Sequence, residues 1–198
     1  QQPVFVGLPV PETKNPAEAN FVRYALKRGL EQQALLGVNS LKYGITAATD
    51  THIAAPGLTA EKDHPGHGGA GKAAGEGVEG LPDDLENGPG GLTVLWAEEN
   101  TRESLFAAMR RKEAYATSGT RPILRFFGGF DLSEDLCEAP DMVAQSYASG
   151  VPMGGDLPSP KAPQQSPEQA PRFLVSAIKD AGTPSAAGTP LQRLQIIK

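Results

Sequence analysis

The chain has 198 residues, 39% of them hydrophobic, which is enough apolar material for a domain with a core and unlike a disordered composition. Its 23 acidic and 18 basic residues leave a net charge of -5 and are interspersed, with Arg110-Arg111-Lys112 the densest basic cluster, which argues against nucleic acid as a partner. No apolar run approaches the ~20 residues that span a bilayer, and the single cysteine, Cys137, cannot form an internal disulfide.

Asn15-Pro16-Ala17-Glu18 has the form of a helix start: an N-cap side chain, proline at the first helical position and a glutamate that can reach back to the cap. Val22, Leu26, Leu30 and Ala34 then recur every four residues until Gly37, so the spacing predicts an amphipathic helix over 16–36. Leu41 to Ala48 is short, apolar and flanked by turn residues, the pattern of a buried strand in a parallel sheet or barrel. A helix followed by such a strand is the second half of a βαβ unit, whose first strand is expected upstream of Gln1. Residues 53–91 hold 11 of the 23 glycines and no aromatic residue, too little apolar surface for a core of their own, so a long, partly mobile loop is expected.

Leu92 to Ala97 reads as a strand. Asn100 and Glu103 have cap-and-box spacing, opening a helix to about Lys112 with Leu105, Phe106 and Met109 as its buried stripe. The cations at 110–112 then complement the dipole of the last turn. Tyr115 to Thr117 and Ile123 to Phe127 read as strands separated by a turn at Ser118-Gly119, the second ended by Gly128-Gly129. Residues 132–170 are rich in Pro, Ser, Gln and acids, with low complexity at 158–171, and are expected to form an excursion or linker. Arg172 to Ile178 and Leu191 to Ile197 read as the strands of a hairpin with a wide loop. A helix lacking its preceding strand at one end and an abrupt strand at the other give the chain the look of a piece cut from a longer protein.

The sharpest chemical pattern is Asp50-Thr51-His52. On a continued strand the side chains of residues i and i+2 leave the same face, and at a strand's C-terminal end they converge where α/β folds bind ligands. A carboxylate with an imidazole suits Zn, Mn or Fe; the alternative is an aspartate acting as a turn or cap residue. His64 and His67, with Glu61 and Asp63 nearby, are a second donor group or solvated loop residues. Trp96, Glu98 and Glu99 can bring paired carboxylates near the site, although acids before a helix also suit its positive end. Arg121 and Arg125 bracket a strand, where they can meet an anionic substrate or form an ordinary salt bridge. No nucleophile elbow, Walker loop or dinucleotide fingerprint is present.

At "YGITAATDTHIAAPG", "GGLTVLWAEENTRESLFAAMRRKEAYATSGTRPILRFFGGFD" and "APRFLVSAIKDAGTPSAAGTPLQRLQIIK" the chain closely resembles the C-terminal part of the bacterial DUF3604 family, proteins of unassigned function related to the PHP metal-dependent hydrolases. The resemblance implies an α/β fold: the C-terminal part of a PHP-like distorted (β/α)7 barrel over 1–120, including the glycine-rich loop at 53–91, then a β-rich region over 121–198. It implies that Asp50 and His52 are metal ligands from the last barrel strand and that the cofactor is a divalent metal (Zn, Mn or Fe). The implied chemistry is attack by a metal-activated water on a small phosphoester, with an amide, carbamate or other ester as further options. No catalytic role passes to Tyr115, Thr117 or Arg121. The early His-x-His motif and the other His, Glu and Asp ligands of such proteins are absent here, so this chain is expected to be inactive unless a complementary chain carries the rest of the barrel. Proteins resembling this family are often exported. The competing reading is a non-catalytic β-rich binding or structural module that keeps a vestigial barrel edge.

Overall fold

The computed structural model describes residues 21–48, 91–117, 119–158 and 170–197. They fall into two units, the first ending at Tyr43 and the second beginning at Gly44. Together they hold helices and antiparallel sheets, with no closed barrel among the described residues.

In the first unit, helix α1 spans Val22–Leu36 and stops where expected: Gly37 takes the left-handed conformation (φ 76°) and donates its N–H to the Gln33 carbonyl. Glycine adopts that conformation without the steric cost of a Cβ. Phe21 stands at the N-cap with no side-chain cap; the expected start at Asn15-Pro16 lies outside the described residues. The apolar stripe is present but not enclosed, since Leu30 is 65% exposed and the buried helix position is Gly29. Gly29 lies under the carboxamide of Asn39, whose Oδ1 accepts from the Leu41 amide at 2.9 Å.

The strand expected over 41–48 does not form in either unit. Apolar sequence alone does not make a strand, because the backbone N–H and C=O groups need a neighbouring strand to pair with, and no strand lies alongside among the described residues. In the second unit this stretch is tied instead by a side chain, the Thr93 hydroxyl donating to the Ala47 carbonyl at 3.1 Å.

Strands β1 (Thr93–Leu95) and β2 (Ala114–Ala116) pair antiparallel, with helix α2 (Arg102–Arg111) between them in sequence. The helix starts one residue later than its Asn100 motif suggests, because the Thr101 hydroxyl accepts from the Ser104 amide at 3.3 Å and takes the cap. It ends at Lys112, which adopts φ 62°. The expected stripe is also corrected: Phe106 and Met109 are more than half exposed, while the small Ala108 is fully buried. A side chain of one carbon lets the helix approach its neighbours closely and keeps the larger residues outside.

Strand β3 (Ile123–Gly129) is the centre of a three-stranded antiparallel sheet, flanked by β4 (Val151–Pro152) and β5 (Arg172–Ile178). It runs through Gly128-Gly129 rather than ending before them, and seven consecutive residues pair with β5, from Ile123 opposite Ile178 to Gly129 opposite Arg172. At Gly129 a Cβ would press on the Ser149 carbonyl and on Leu132, so the glycine allows close packing.

Phe127, Leu132, Leu136 and Leu174 form the core cluster, with Ala139 and Met142 packed against it. Two of those leucines lie in the stretch expected to be an excursion or linker, which leaves the sheet after β3 and returns to it at β4 and β5. There Glu134–Glu138 makes a 3-10 turn capped by Ser133, and Met142–Ser149 forms helix α3. Averaging over composition hid the spaced Leu132, Leu136 and Met142 among acids and prolines. The expected terminal hairpin is likewise replaced: β5 pairs with β3, a short hairpin joins β6 (Gly182–Thr183) to β7 (Ala186–Ala187), and Leu191–Ile197 forms no strand. That last segment lines, with Leu124, Phe126 and Val175, a groove of about 470 Å³ on the sheet face opposite Phe127.

Candidate functional site

Asp50 and His52, and with them His64, His67, Glu61 and Asp63, lie outside the described residues. Among the described residues no group of three or more His, Cys, Asp or Glu side chains is placed to hold a metal ion. Cys137 is an exposed free thiol.

A cleft of about 520 Å³ opens elsewhere in the second unit, lined by Trp96, Arg111, Glu113, Arg125, Tyr147 and Pro152 among others. Each wall comes from a different element: Trp96 follows β1, Arg111 ends α2, Glu113 precedes β2, Arg125 stands on β3, Tyr147 on α3 and Pro152 on β4. The Trp96 indole N–H donates to the Leu124 carbonyl at 3.0 Å, and its backbone N–H donates to the Glu113 carbonyl at 3.0 Å. These bonds tie the β1–β2 pair to β3. On β3, Arg125 and Phe127 are two residues apart and so share a face. The Phe127 ring meets the Tyr147 ring edge-on, with centroids 5.1 Å apart, so the core that buries Phe127 also sets Tyr147.

Glu113 is the chemical centre, with a side chain only 4% exposed. A buried carboxylate must be compensated, and each oxygen has its own partner. The Tyr147 hydroxyl donates a hydrogen bond to Oε1, and Arg111 Nε lies 3.4 Å from Oε2. Arg125 completes the relay: its Nη1 donates to the Tyr147 oxygen at 2.8 Å, while its distance to Glu113 Oε1 is 4.0 Å. The Arg125 guanidinium lies over the Trp96 ring, 3.3 Å from its centroid, which is cation–π stacking. Burial raises the Tyr147 pKa above its ordinary value, the Glu113 hydrogen bond and charge raise it further, and Arg125 opposes them, so the phenol keeps its proton and donates.

A family model described as "Protein of unknown function (DUF3604)" matches residues 6–198. The chain belongs to the DUF3604 family. No curated protein and no solved structure matches it. The DUF3604 match takes in both Asp50-Thr51-His52 and every residue of the cleft.

Of the residues singled out from the sequence of this DUF3604 chain, the fold brings Trp96, Glu98 and Arg125 to one cleft. It separates Glu99, whose backbone N–H instead accompanies the start of α2 by donating to the Ser104 hydroxyl at 3.1 Å. Glu113 and Tyr147 carry no sequence motif that joins them, being 34 residues apart. Arg111, by its sequence position alone, is a cation of the last helical turn. The one local signal was an acid directly after a basic helix end, in "RRKEAY", where the chain turns from helix to strand.

Proposed function

We propose that this DUF3604 chain contributes to a PHP-like metal-dependent hydrolase and that Asp50 and His52 are two of its metal ligands. The observation that supports this reading is the Asp-x-His pair in "TDTHIAAPG" of a chain whose family match spans residues 6–198. The donor chemistry fits the group: one carboxylate and one imidazole suit Zn, Mn or Fe. When bound, such an ion supplies a Lewis acid and an activated water for attack on a phosphoester. Two donors are one short of the three protein ligands usual at a catalytic zinc, so the set has to be completed from elsewhere, a complementary chain carrying further barrel strands being one source. The same source would give residues 41–48 the strand partner they lack among the described residues.

A second reading, a β-rich binding module without catalysis, is favoured by one observation. The core of the described residues lies in the β3–β5 sheet with the 3-10 turn and α3, and Arg125, Tyr147 and Pro152 of that sheet and helix supply one side of the cleft. Metal analysis after equilibration with Mn or Zn separates the two. The hydrolase reading expects bound metal that falls to background in Asp50→Asn and His52→Ala; metal-free protein, or loading indifferent to both substitutions, favours the module. This chain alone is expected to show no turnover on a phosphoester panel.

A further inference from the structure

Two guanidinium groups of unequal exposure line the cleft, Arg111 at 44% and Arg125 at 19%. Glu113 is the enclosed carboxylate, facing two guanidinium groups, while Glu98 stands exposed at the rim, where solvent screens it. Both Glu113 oxygens are already engaged, one by the Tyr147 hydroxyl and one by Arg111. Arg125 forms a long ion pair with the carboxylate, at 4.0 Å, and its guanidinium is further positioned by stacking on Trp96 and by its hydrogen bond to Tyr147.

Stacking uses the face of a guanidinium and leaves its in-plane N–H edge for an acceptor. Of the five N–H donors of an arginine, the hydrogen bonds of Arg125 to described residues use one nitrogen, Nη1. The side chain is 19% exposed, so a charge-assisted bond formed there is less diluted by water than one on the open surface. A cleft of about 520 Å³ also falls within the range of small-molecule sites, and Pro152 and the Trp96 ring supply apolar wall.

We propose that this cleft binds a small molecule through a carboxylate or phosphate group laid against the edge of Arg125, with Arg111 as the second cation. The site is independent of the metal reading, because none of its residues is a proposed metal ligand. Glu113 and Tyr147 are positioning residues: they hold the two arginines apart and at the right depth, and do not themselves meet the anion.

Trp96 is the single tryptophan of the chain and carries Arg125 on its face, so its fluorescence reports the site directly. Inorganic phosphate and malonate are titrated separately into the full chain at constant ionic strength, with potassium chloride as the blank. The expected result is a saturable change with at least one probe and none with chloride. Response to phosphate alone assigns phosphate esters, response to malonate alone assigns carboxylates, and either supports the site. Arg125→Gln is expected to weaken binding by about 10-fold or more, the loss of a hydrogen bond to a charged group. Arg111→Gln is expected to weaken it by a smaller factor, and Arg110→Gln on the same helix end to leave it unchanged. Circular dichroism checks that each variant is folded, and Arg111→Gln carries the test if Arg125→Gln is not. No saturable response to either probe in the folded protein, or equal binding in the folded arginine variants, overturns the proposal.

Discussion

Helix α1 and strand β3 both present regularly spaced apolar side chains, yet they end in opposite environments. On α1 the four-residue repeat of Val22, Leu26 and Leu30 stays in solvent, and the position enclosed is Gly29. On β3, Phe127 is 1% exposed and sits in a cluster assembled from residues up to 47 positions away in sequence, at Leu174. Amphipathic spacing shows which face could be buried; a second surface decides whether it is. For β3 that surface is the 3-10 turn, α3 and β5, and for α1 no described element supplies it.

Substitutions in the two regions should therefore differ by nearly an order of magnitude. Phe127→Ala removes a fully enclosed ring and should cost about 3–5 kcal/mol in urea denaturation, collapsing the Tyr147 contact with it. A loss below about 1 kcal/mol, the typical effect of an arbitrary substitution, would show that the core of the second unit lies elsewhere.

Tyr147→Phe probes the boundary between core and cleft. It keeps the ring against Phe127 but removes the donor to Glu113, with an expected loss of about 1 kcal/mol at neutral pH. Because the folded-state pKa of Tyr147 is raised above 10.0, the folded protein holds that proton more tightly than the unfolded chain. The stability linked to it is fully present below the unfolded value and is lost as pH rises through the folded one. Melting temperatures measured upward from pH 9 should consequently fall more steeply for the native chain than for Tyr147→Phe; parallel curves would mean the phenol titrates without coupling to the fold.

Leu30→Ala on α1 should change stability by no more than about 0.5 kcal/mol, as expected for an exposed position. A cost above 2 kcal/mol would reveal a covering surface that makes α1 resemble β3 after all.

Much of the local structure was readable from residues alone. Gly37 as the end of α1, the strands around Val94, Tyr115 and Leu124, and the strand Arg172–Ile178 all follow from spacing and turn chemistry, and the helix from 102 to 111 was displaced by a single capping residue. Pairing was not readable. Arg172–Ile178 looks equally able to join any strand of similar length, and it selects β3 because seven successive pairs place Leu174 beside Phe127. The Leu41–Ala48 segment shows the converse, an apolar run that stays unpaired for want of a neighbour.

The candidate sites divide in the same way. Asp50-Thr51-His52 can be put forward from sequence because its carboxylate and imidazole stand at a fixed spacing along the chain, and the family resemblance likewise rests on contiguous stretches. The Glu113–Tyr147–Arg125 relay has no such signature, since Tyr147 stands on α3, Arg125 on β3 and Glu113 just before β2, and they meet only in the tertiary fold. Sequence determined which residues can ionise, cap or stack, because those are properties of single side chains and their neighbours along the chain. Tertiary structure alone decided that a glutamate would be enclosed between two arginines and a tyrosine, because burial and charge compensation depend on which distant surfaces come together.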